Sequence, residues 1–446
     1  YLTNRKQKVV LNGMSSKWGN IRAGVPQGSV LGPLLFLVYI NDIVLKVKSQ
    51  IRLFADDTSI FIDIDDNIAG ASEQLNNDLQ KMTDWANQWL VNFSPPKTES
   101  LLLSWKRNKR DHPPLVMDGT IIKEVESHCH LGLTFTHNLS WSEHVKATAI
   151  KANKRVDMMT PLKYLLDRKT LENIYFSCVR PFMDYACVVW DNCSAQDAEI
   201  LDKVQKRAAR IVSGAIRGTP TDTIYRELGW ETLDVRRERS KLLLYHKMVM
   251  RKTPPILYNL LPKLVGENVE YSLRNTNDFS RIPTNTYTFN SSFIPSTALL
   301  WNQLNTDIRA VEDNNKFKNQ LLISSSKRNK LYYLGDRKIS IIHAQMRMLC
   351  SPLKAHLFNM HIIDHSNCSC GHDFEDNIHF FFTCPLYTVP RRILHEKILT
   401  LAPFNMRTLL FGSDNVSYET NVEIFEAVDE YIVDSARFSG NAGQGC

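Results

Sequence analysis

Two adjacent carboxylates, Asp56 and Asp57, have the residue types and spacing best suited to chemistry in this chain. They lie between two apolar, β-branched-rich runs, residues 51–55 and 59–64, and this pattern predicts a β-hairpin with a tight acidic turn. Neighbouring carboxylates repel each other, and a divalent cation between them offsets that cost. Mg²⁺ takes carboxylate oxygens and keeps positions open for phosphate oxygens. The pair is therefore a candidate magnesium site, although an isolated Asp-Asp pair is more often ordinary turn chemistry.

A second candidate site is a cluster of soft and borderline ligands near the C-terminal end. Its members follow a Cys-x-Cys, eight residues, His, four residues, Cys arrangement: Cys368, Cys370, His379 and Cys384. Such a set suits tetrahedral Zn²⁺ in a closed structural site, and the alternative is free buried thiols. Rival donors lie nearby: His361, His365 and His372. A helix that begins near Ile341 and ends by Pro352 is predicted just before the cluster.

A basic stripe is predicted on a helix that spans residues 195–213. One face of this helix is apolar and contains Ile200, Leu201, Val204, Ala208 and Ile211. Another face has a positive charge at each turn: Lys203, Lys206, Arg207 and Arg210. Such a stripe fits a phosphate backbone, and it is otherwise a solvated helix face. A second basic cluster follows at Arg236, Arg237, Arg239 and Lys241.

Composition narrows the class of protein. The 446 residues are 43% hydrophobic and 23% charged, which predicts a globular chain of two to four domains. A net charge of +7 permits a polyanionic partner. Nine scattered cysteines and no signal peptide predict a reducing intracellular compartment, and no apolar run reaches the roughly 20 residues of a membrane span. Because the chain starts at Tyr1, we expect a fragment of a larger polypeptide without a membrane partner.

The elements that position these residues follow from periodicity. Residues 67–90 have apolar side chains at helical spacing, which predicts an amphipathic helix whose Trp85 and Trp89 lie in the core and do not stack on bases. Ser140 and Glu143 have the spacing of a capping box and predict the start of a long helix. Further helices are predicted over two segments: residues 170–179 and 195–213.

Two short motifs carry a family resemblance. The sequence Pro-Gln-Gly-Ser at residues 26–29 opens an apolar helix, and a strand with Phe-Ala-Asp-Asp follows at residues 54–57. Together they resemble the palm of a reverse transcriptase, in particular that of non-LTR (LINE-type) retrotransposons of the jockey-like kind. The resemblance extends to about residue 387.

The resemblance implies a two-metal nucleotidyl transfer and a role for each matching residue. Asp56 and Asp57 would hold Mg²⁺, and Lys97 would act as general acid or electrostatic stabiliser at the leaving pyrophosphate. Residues implied to lie against template or substrate are Gln27, Gly28, Ser29 and Phe54. The implied partners are an RNA template, a DNA primer or target and deoxynucleotides, and the implied location of an active element is the nucleus. The Cys/His cluster resembles the family's nucleic-acid-positioning motif.

We therefore predict an α+β fold with a partial right-hand palm, a helical thumb and a small zinc-binding module. The predicted segments are a palm at 1–105, a mostly helical thumb at 106–262, a linker or loosely structured connection at 263–336, a helix with the Cys/His motif at 337–390 and a C-terminal tail at 391–446. In the family, a first palm strand with a further Asp precedes the hairpin expected at residues 9–21. That strand and the fingers are absent here, so we expect no polymerisation by this chain alone. The alternatives are a catalytically silent nucleic-acid-binding protein of the same fold and, from a third class, a structural protein.

Overall fold

The computed structural model describes residues 2–64, 67–104, 111–267, 276–322 and 329–439. The chain divides into two compact units, Tyr1–Ser140 and Trp141–Cys446. The first unit combines short strands with two helices, and the second is helical, so the predicted α+β class is confirmed at this level. Within the residues described, no helix is long and apolar enough to span a membrane.

The first unit consists of paired short strands and two helices. Its strands are β1 (Lys6–Gln7), β2 (Val10–Leu11), β3 (Met14–Ser15), β4 (Gly19–Asn20), β5 (Gln50–Phe54), β6 (Asp57–Phe61), β7 (Glu99–Ser100), β8 (Val116–Met117), β9 (Thr120–Ile121), β10 (Lys123–Glu124), β11 (Ser127–His130) and β12 (Leu133–Thr136). Five pairs are antiparallel: β1 with β4, β2 with β3, β5 with β6, β8 with β9, and β11 with β12. The pair of β7 and β10 is parallel. The predicted first hairpin is confirmed, and it turns at Asn12 and Gly13, both with positive φ.

The helices of the first unit form the core beneath the acidic hairpin. They are α1 (Leu31–Ile40) and α2 (Ile68–Trp89), and α2 begins at the predicted place because the Asn67 side chain accepts a hydrogen bond from the Gly70 N–H. Trp85 is buried against Ile40, and its indole N–H donates to Asp42 at 3.0 Å. Trp89, the last residue of α2, is 40% exposed, so the prediction that it lies in the core is wrong.

Asp78 on α2 anchors the chain just before β5. Its carboxylate is buried and accepts hydrogen bonds from the backbone N–H groups of Lys48 and Ser49 at 3.1 and 2.8 Å. Burial raises the pKa of Asp78, but these hydrogen bonds outweigh burial and lower it overall. The charged Asp78 therefore positions the strand that leads to Asp56.

The second unit begins with a helical bundle. Its helices are α3 (Ser142–Met159), α4 (Arg168–Ile174), α5 (Arg180–Asp184), α6 (Cys187–Trp190), α7 (Ala195–Ser213), α8 (Thr221–Leu228), α9 (Leu233–Val249) and α10 (Pro255–Tyr258). The predicted bounds of α7 are confirmed, because Ser194 caps its start and Gly214 ends it with φ +74°. A π-helical turn, Tyr175–Val179, continues α4. The predicted long helix is confirmed as α3, but its capping box is wrong, since α3 begins at Ser142 with Trp141 as N-cap and no side-chain cap hydrogen bond.

Residues 276–322, expected to be part of a loose linker, form four helices. These are α11 (Tyr287–Ser291), α12 (Phe293–Gln303), α13 (Thr306–Arg309) and α14 (Asn314–Leu322). Trp301 and Phe317 from this segment are buried with Tyr245 of α9. The sequence predicts only one short helix here, at about residues 299–308 with Trp301 as its anchor, and α12 and α13 cover that stretch. The other helices were concealed because polar Asn, Ser and Thr residues lie between the few large apolar anchors.

Residues 391–439, expected to be a tail, share one core with the Cys/His cluster. The helices of this region are α15 (Arg337–Arg347), α16 (Lys354–Asn359), α17 (Thr388–Leu399), α18 (Met406–Phe411) and α19 (Tyr418–Asp434). Leu394, Ile398 and Tyr431 pack in the same apolar cluster as Cys368 and Cys384. The expected tail is thus the second half of a single packed module.

Helix α15 joins this module to the bundle. It begins at Arg337, capped by Asp336, four residues before the predicted start. Arg337 donates to the backbone carbonyls of Ile211 and Val212 at the end of α7, at 2.9 and 2.8 Å. A Cβ on Gly214 would lie 2.5 Å from Ile341 Cγ1, so glycine permits both the turn and this close approach.

A buried ion triad strengthens the same junction. Glu227 at the end of α8 accepts hydrogen bonds from Arg168 and Arg347, each at 2.8 Å, and all three side chains are buried. Burial raises the pKa of Glu227, and the two guanidinium groups outweigh it, so the pKa lies below its ordinary value of 4.5. Removing one member of such a group leaves buried charge uncompensated.

Glu227→Gln is therefore expected to lower the free energy of unfolding by about 3 kcal/mol near neutral pH. Because the folded-state pKa is lowered, the carboxylate stabilises the fold above its unfolded pKa, and this contribution is lost as the pH falls through the folded pKa. The gap between the two proteins should therefore shrink in acid below about pH 4. Chemical denaturation across pH measures it, with the exposed Glu238→Gln as control; a pH-independent gap would contradict the assignment.

Candidate functional site

The acidic turn forms the end of the β5–β6 hairpin. Phe54 pairs with Asp57, which leaves Ala55 and Asp56 as a two-residue turn with Ala55 at φ +51°. The predicted hairpin is confirmed. A positive φ at a residue with a Cβ is uncommon and shows that the short connection constrains the backbone here.

The pleat of the hairpin separates an inner from an outer face. Ile51, Leu53 and Ile60 pack on the core of the first unit. Phe54 and Asp57 lie opposite each other on the other face, and Asp56 lies in the turn; all three are exposed. Both carboxylates and the Phe54 ring are therefore accessible to a metal ion or substrate.

In the part of the chain that the structure describes, the acidic turn offers a metal ion two carboxylates, those of Asp56 and Asp57. The Asp42 carboxylate accepts a hydrogen bond from the Trp85 indole N–H. Asp63 is exposed, and its carboxylate lies 3.5 Å from the Gln50 side-chain nitrogen. Among the described residues, neither joins Asp56 and Asp57 in a group of three potential metal ligands. Two carboxylates can contact a hard cation while most of its coordination positions stay open.

Lys97 lies at the end of a 3₁₀ turn, Pro95–Lys97, and its side chain is exposed. Its backbone N–H donates to the Ser94 carbonyl at 2.9 Å. The structure describes Lys97 and both aspartates, and it shows no ion pair between them. The role of Lys97 at a leaving group stays a prediction.

The Pro-Gln-Gly-Ser turn precedes α1 as predicted. Ser29 donates its hydroxyl hydrogen to the Pro26 carbonyl at 2.7 Å and accepts from the Gly32 N–H at 3.1 Å. Gly28 has φ +79°, a conformation that favours glycine, and the Gln27 side chain is exposed. The Ser29 hydroxyl thus caps the helix start, and Gln27 is the side chain of this turn best placed to meet a ligand.

The basic stripe of α7 is partly neutralised. Lys203 pairs with Glu199 at 3.0 Å, and Arg207 pairs with Asp157 at 2.6 Å. Lys206 and Arg210 are half-buried, and no ion pair with a described carboxylate is found for either. The stripe therefore presents about half of its formal charge to a phosphate backbone.

The second basic cluster is an internal ion network. Its pairs are Arg236 with Asp184, Arg237 with Asp191, Arg239 with Glu231, and Lys241 with Asp191. Each of these cations is buried or half-buried and has an acidic partner on the bundle. These residues therefore hold α9 in place, and sequence spacing alone did not reveal their partners.

The four predicted zinc ligands come together. The ligand atoms of Cys368, Cys370, His379 and Cys384 all lie within 4.8 Å of one another. The Cys368 and Cys384 sulfurs are 3.8 Å apart, which is the edge of a tetrahedron with Zn–S bonds of about 2.3 Å. Cys370 Sγ lies 3.2 Å from His379 Nε2.

The surroundings of this cluster favour metal binding. His379 Nδ1 is 3.0 Å from the Thr383 hydroxyl, which leaves Nε2 directed at the three sulfurs. Burial lowers the pKa of His379 and raises that of the Cys384 thiol to about 12, whereas the His372 backbone N–H lowers the pKa of Cys370. A cation would compensate the thiolate charge that burial disfavours.

The rival histidines fall outside the cluster. His372 is exposed and stacks its ring on that of His379 with centroids 4.3 Å apart, but it is not among the four grouped ligands. The structure also describes His361 and His365, and neither joins the group. The ligand set predicted from spacing is the set that the fold assembles.

Sequence reasoning missed the residues that support this cluster. Glu375 is buried beside Cys368 and receives two hydrogen bonds from Arg437, at 2.6 and 2.7 Å. The Thr383 partner of His379 could have been found from its helical spacing of four residues. No local signal relates Arg437 to Glu375, because 62 residues separate them.

Comparison with known proteins agrees with the acidic hairpin. Residues 2–164 match the family described as reverse transcriptase (RNA-dependent DNA polymerase). This segment contains both the Pro-Gln-Gly-Ser turn and Asp56-Asp57, the two motifs on which the resemblance depends.

Longer similarities specify the type of element. The chain is 27% identical over 279 residues to a probable RNA-directed DNA polymerase from transposon BS of Drosophila melanogaster, covering 57% of this chain and 30% of that protein. It is 26% identical over 263 residues to the corresponding X-element protein (56% and 28% covered) and 27% over 239 residues to the mobile element jockey polymerase (51% and 26% covered), both from the same species. The chain thus spans less than a third of the length of these relatives. The predicted resemblance to reverse transcriptases of LINE-type, non-LTR retrotransposons is confirmed by these similarities.

Proposed function

We propose that this chain is the palm and thumb part of an RNA-directed DNA polymerase of a LINE-type retrotransposon. The observation that carries the proposal is the exposed Asp56-Asp57 pair at the end of a hairpin inside the segment that matches the reverse transcriptase family. A structural protein would have no need of two repelling carboxylates at a constrained turn.

The proposed reaction is attack of a primer 3′-hydroxyl on the α-phosphate of a deoxynucleotide. Bound Mg²⁺ would stabilise the charge on the attacking and leaving oxygens. Asp56 and Asp57 would supply carboxylate oxygens, and Phe54 would border the substrate on the same face of the hairpin. Gln27 would approach the template, and Lys97 would stabilise the leaving pyrophosphate.

The proposed partners follow from this reaction: an RNA template, a DNA primer or target and deoxynucleotides. An element that copies itself into DNA would act in the nucleus. Primer extension on an RNA template by a longer protein that contains this chain tests the proposal, and substitutions of the two aspartates provide the decisive comparison.

We further propose that Cys368, Cys370, His379 and Cys384 bind one structural Zn²⁺. Support comes from the sulfur separation of 3.8 Å and from the Thr383 contact that orients His379. The Cys/His module would then position nucleic acid next to the helical bundle with which it forms one unit.

A second candidate function is nucleic-acid binding without catalysis. It is favoured by the acidic pair, which gains no third carboxylate among the residues described, and by a basic stripe that keeps Lys206 and Arg210 available. Binding without Asp57-dependent synthesis would identify this alternative.

Lys206→Gln is expected to weaken binding to a primer–template duplex several-fold and to reduce the salt dependence by about one phosphate contact. Lys203→Gln is the matched control on the same helix, and it should have a smaller effect because Glu199 already neutralises Lys203. Fluorescence anisotropy across salt concentrations measures both. Salt slopes of both variants equal to that of the unaltered chain would remove α7 from the binding surface.

A further inference from the structure

The first hairpin of the chain has no role in the functions proposed above. Its strands β1 to β4 lie within residues 6–20, and every residue of this range is exposed. A two-stranded hairpin with both faces in water is marginally stable at best. A partner that covers one of its faces would therefore add to its stability.

The base of this hairpin is fixed beside the Pro-Gln-Gly-Ser turn. The Ile21 N–H donates to the Arg5 carbonyl at 2.9 Å, and the Arg5 guanidinium donates to the Gly24 carbonyl. Gln27, the exposed side chain of the turn, follows Gly24 by three residues. From this base, a strand that reaches the tip at Asn12 extends about 20 Å. The hairpin is thus an arm that begins next to Gln27.

One face of the hairpin is basic and aromatic. Lys6 pairs with Asn20 on the return strand, and two positions further along the Lys8 ammonium nitrogen lies 5.2 Å from the Trp18 ring centroid. Side chains two residues apart on a strand point to the same side, so both lysines and the indole share this face. Lys8 covers one side of the indole. Trp18 is 62% exposed, and no other ring or cation of the described residues contacts it, so its other side is open to a base.

The positive charge of the hairpin is not neutralised. The chain has no Asp or Glu before Asp42, whereas the hairpin has three lysines: Lys6, Lys8 and Lys17. All three are exposed, and none forms an ion pair within the part of the chain that the structure describes. Cations without acidic partners fit a phosphate backbone, because binding releases the counterions of the phosphates.

The opposite face is apolar and offers an alternative partner. Leu11 pairs with Met14 at the tip, and the two side chains are 71% and 79% exposed. A protein surface on this face would leave the lysines and Trp18 unexplained. Nucleic acid on the basic face accounts for both the charge and the exposed indole.

From these observations we propose that the first hairpin binds single-stranded nucleic acid, with phosphates against Lys6 and Lys8 and one base stacked on Trp18. Stacking on an aromatic side chain selects an unpaired base, since the bases of a duplex are already stacked on one another. The strand would be the template RNA that Gln27 meets at the base of the arm, and this identity rests on the proposed function. The binding surface does not, because the hairpin shares no residue with the acidic pair.

The test measures binding of the whole chain to a labelled single-stranded RNA and to a blunt RNA–DNA duplex, by fluorescence anisotropy across salt concentrations. The double variant Lys6→Gln/Lys8→Gln is expected to reduce the salt slope for single-stranded RNA by about 1.4, as for two lost phosphate contacts. Trp18→Leu should weaken this binding about tenfold, and Trp18→Phe should weaken it much less because phenylalanine keeps a ring for stacking.

Two variants serve as matched controls. Lys46→Gln/Lys48→Gln removes two exposed lysines with the same spacing in the same unit but outside the hairpin, and Leu11→Ser changes the apolar face alone. Both should bind RNA like the unaltered chain. The Asp57→Asn protein should do so as well, so a failure of the polymerase assignment and a failure of this site give different results.

Three results would overturn the proposal. A salt slope of Lys6→Gln/Lys8→Gln equal to that of the unaltered chain, or to that of the control double variant, would exclude the basic face. A loss of affinity in Leu11→Ser as large as that in Trp18→Leu would show that binding follows the fold of the hairpin and not its basic face. An equal effect of Trp18→Leu on the duplex and on the single strand would exclude stacking on an unpaired base.

Discussion

Asp57→Asn and Asp56→Asn are each expected to abolish primer extension, with a rate loss of about a thousandfold or more, because metal stabilisation of the reacting oxygens is worth several kcal/mol. Both residues are exposed at the end of the β5–β6 hairpin, and they are the carboxylates at this turn. Loss of either would leave a single charged group to hold the cations.

The measurement is RNA-templated extension of a labelled primer by a longer protein that contains this chain, because we expect no polymerisation by this chain alone. Asp63→Asn is the matched control, since Asp63 follows the same hairpin, is exposed and approaches Gln50 at 3.5 Å. It should retain nearly full activity. Thermal melts should show that neither Asn variant is unfolded, because removing one of two repelling charges does not destabilise the metal-free turn. Near-normal extension by either variant would refute the assignment of the metal carboxylates.

Cys384→Ser is expected to remove one equivalent of Zn²⁺ per chain and to lower the melting temperature by about 10 °C or more. Structural Zn²⁺ contributes on the order of 10 kcal/mol to the folding of small zinc units, and here Cys384 is fully buried in the core of the module. Loss of the ion would leave the remaining thiols and His379 without a common partner.

Metal analysis and melts should use the whole chain, because the module core extends to α19 and a fragment ending near residue 392 would cut through it. His372→Asn is the matched control: its ring touches that of His379, yet it lies outside the ligand group, so zinc content should not change. A chelator should lower the melting temperature of the unaltered and His372→Asn proteins to that of Cys384→Ser. A metal-free chain with an unchanged melting temperature would exclude a structural zinc.

Buried polar contacts join the Cys/His module to the helical bundle. Arg337 binds the carbonyls at the end of α7, and Arg347 shares Glu227 with Arg168. The helix that carries the basic stripe and the Cys/His module are therefore held by the same buried contacts. Nucleic acid that contacts both the stripe and the module would bind two surfaces that are already fixed relative to each other, which lowers the entropic cost of binding.

Local chemistry determined those parts of this protein that the sequence alone predicts. The alternation around Asp56-Asp57 specifies a hairpin, Ser194 and Gly214 set the ends of α7, and the spacing from Cys368 to Cys384 brings four ligands together. In each case the determining residues lie within about twenty positions of one another, so turn geometry, capping and ligand spacing act without the rest of the fold.

Only the tertiary structure decided which charges remain available and which segments pack. Arg207 of the stripe pairs with Asp157 of α3, and three cations of α9 pair with two distant acids, Asp184 and Asp191: Arg236, Arg237 and Lys241. The Lys203–Glu199 pair, by contrast, is local to α7. Residues 276–322 become ordered because Trp301 and Phe317 reach Tyr245. Arg347 and Glu227 are 120 residues apart, and Arg437 and Glu375 are 62 apart. Such pairs leave no periodic trace in the sequence, because their interaction energy exists only once burial has brought them together and removed the water between them.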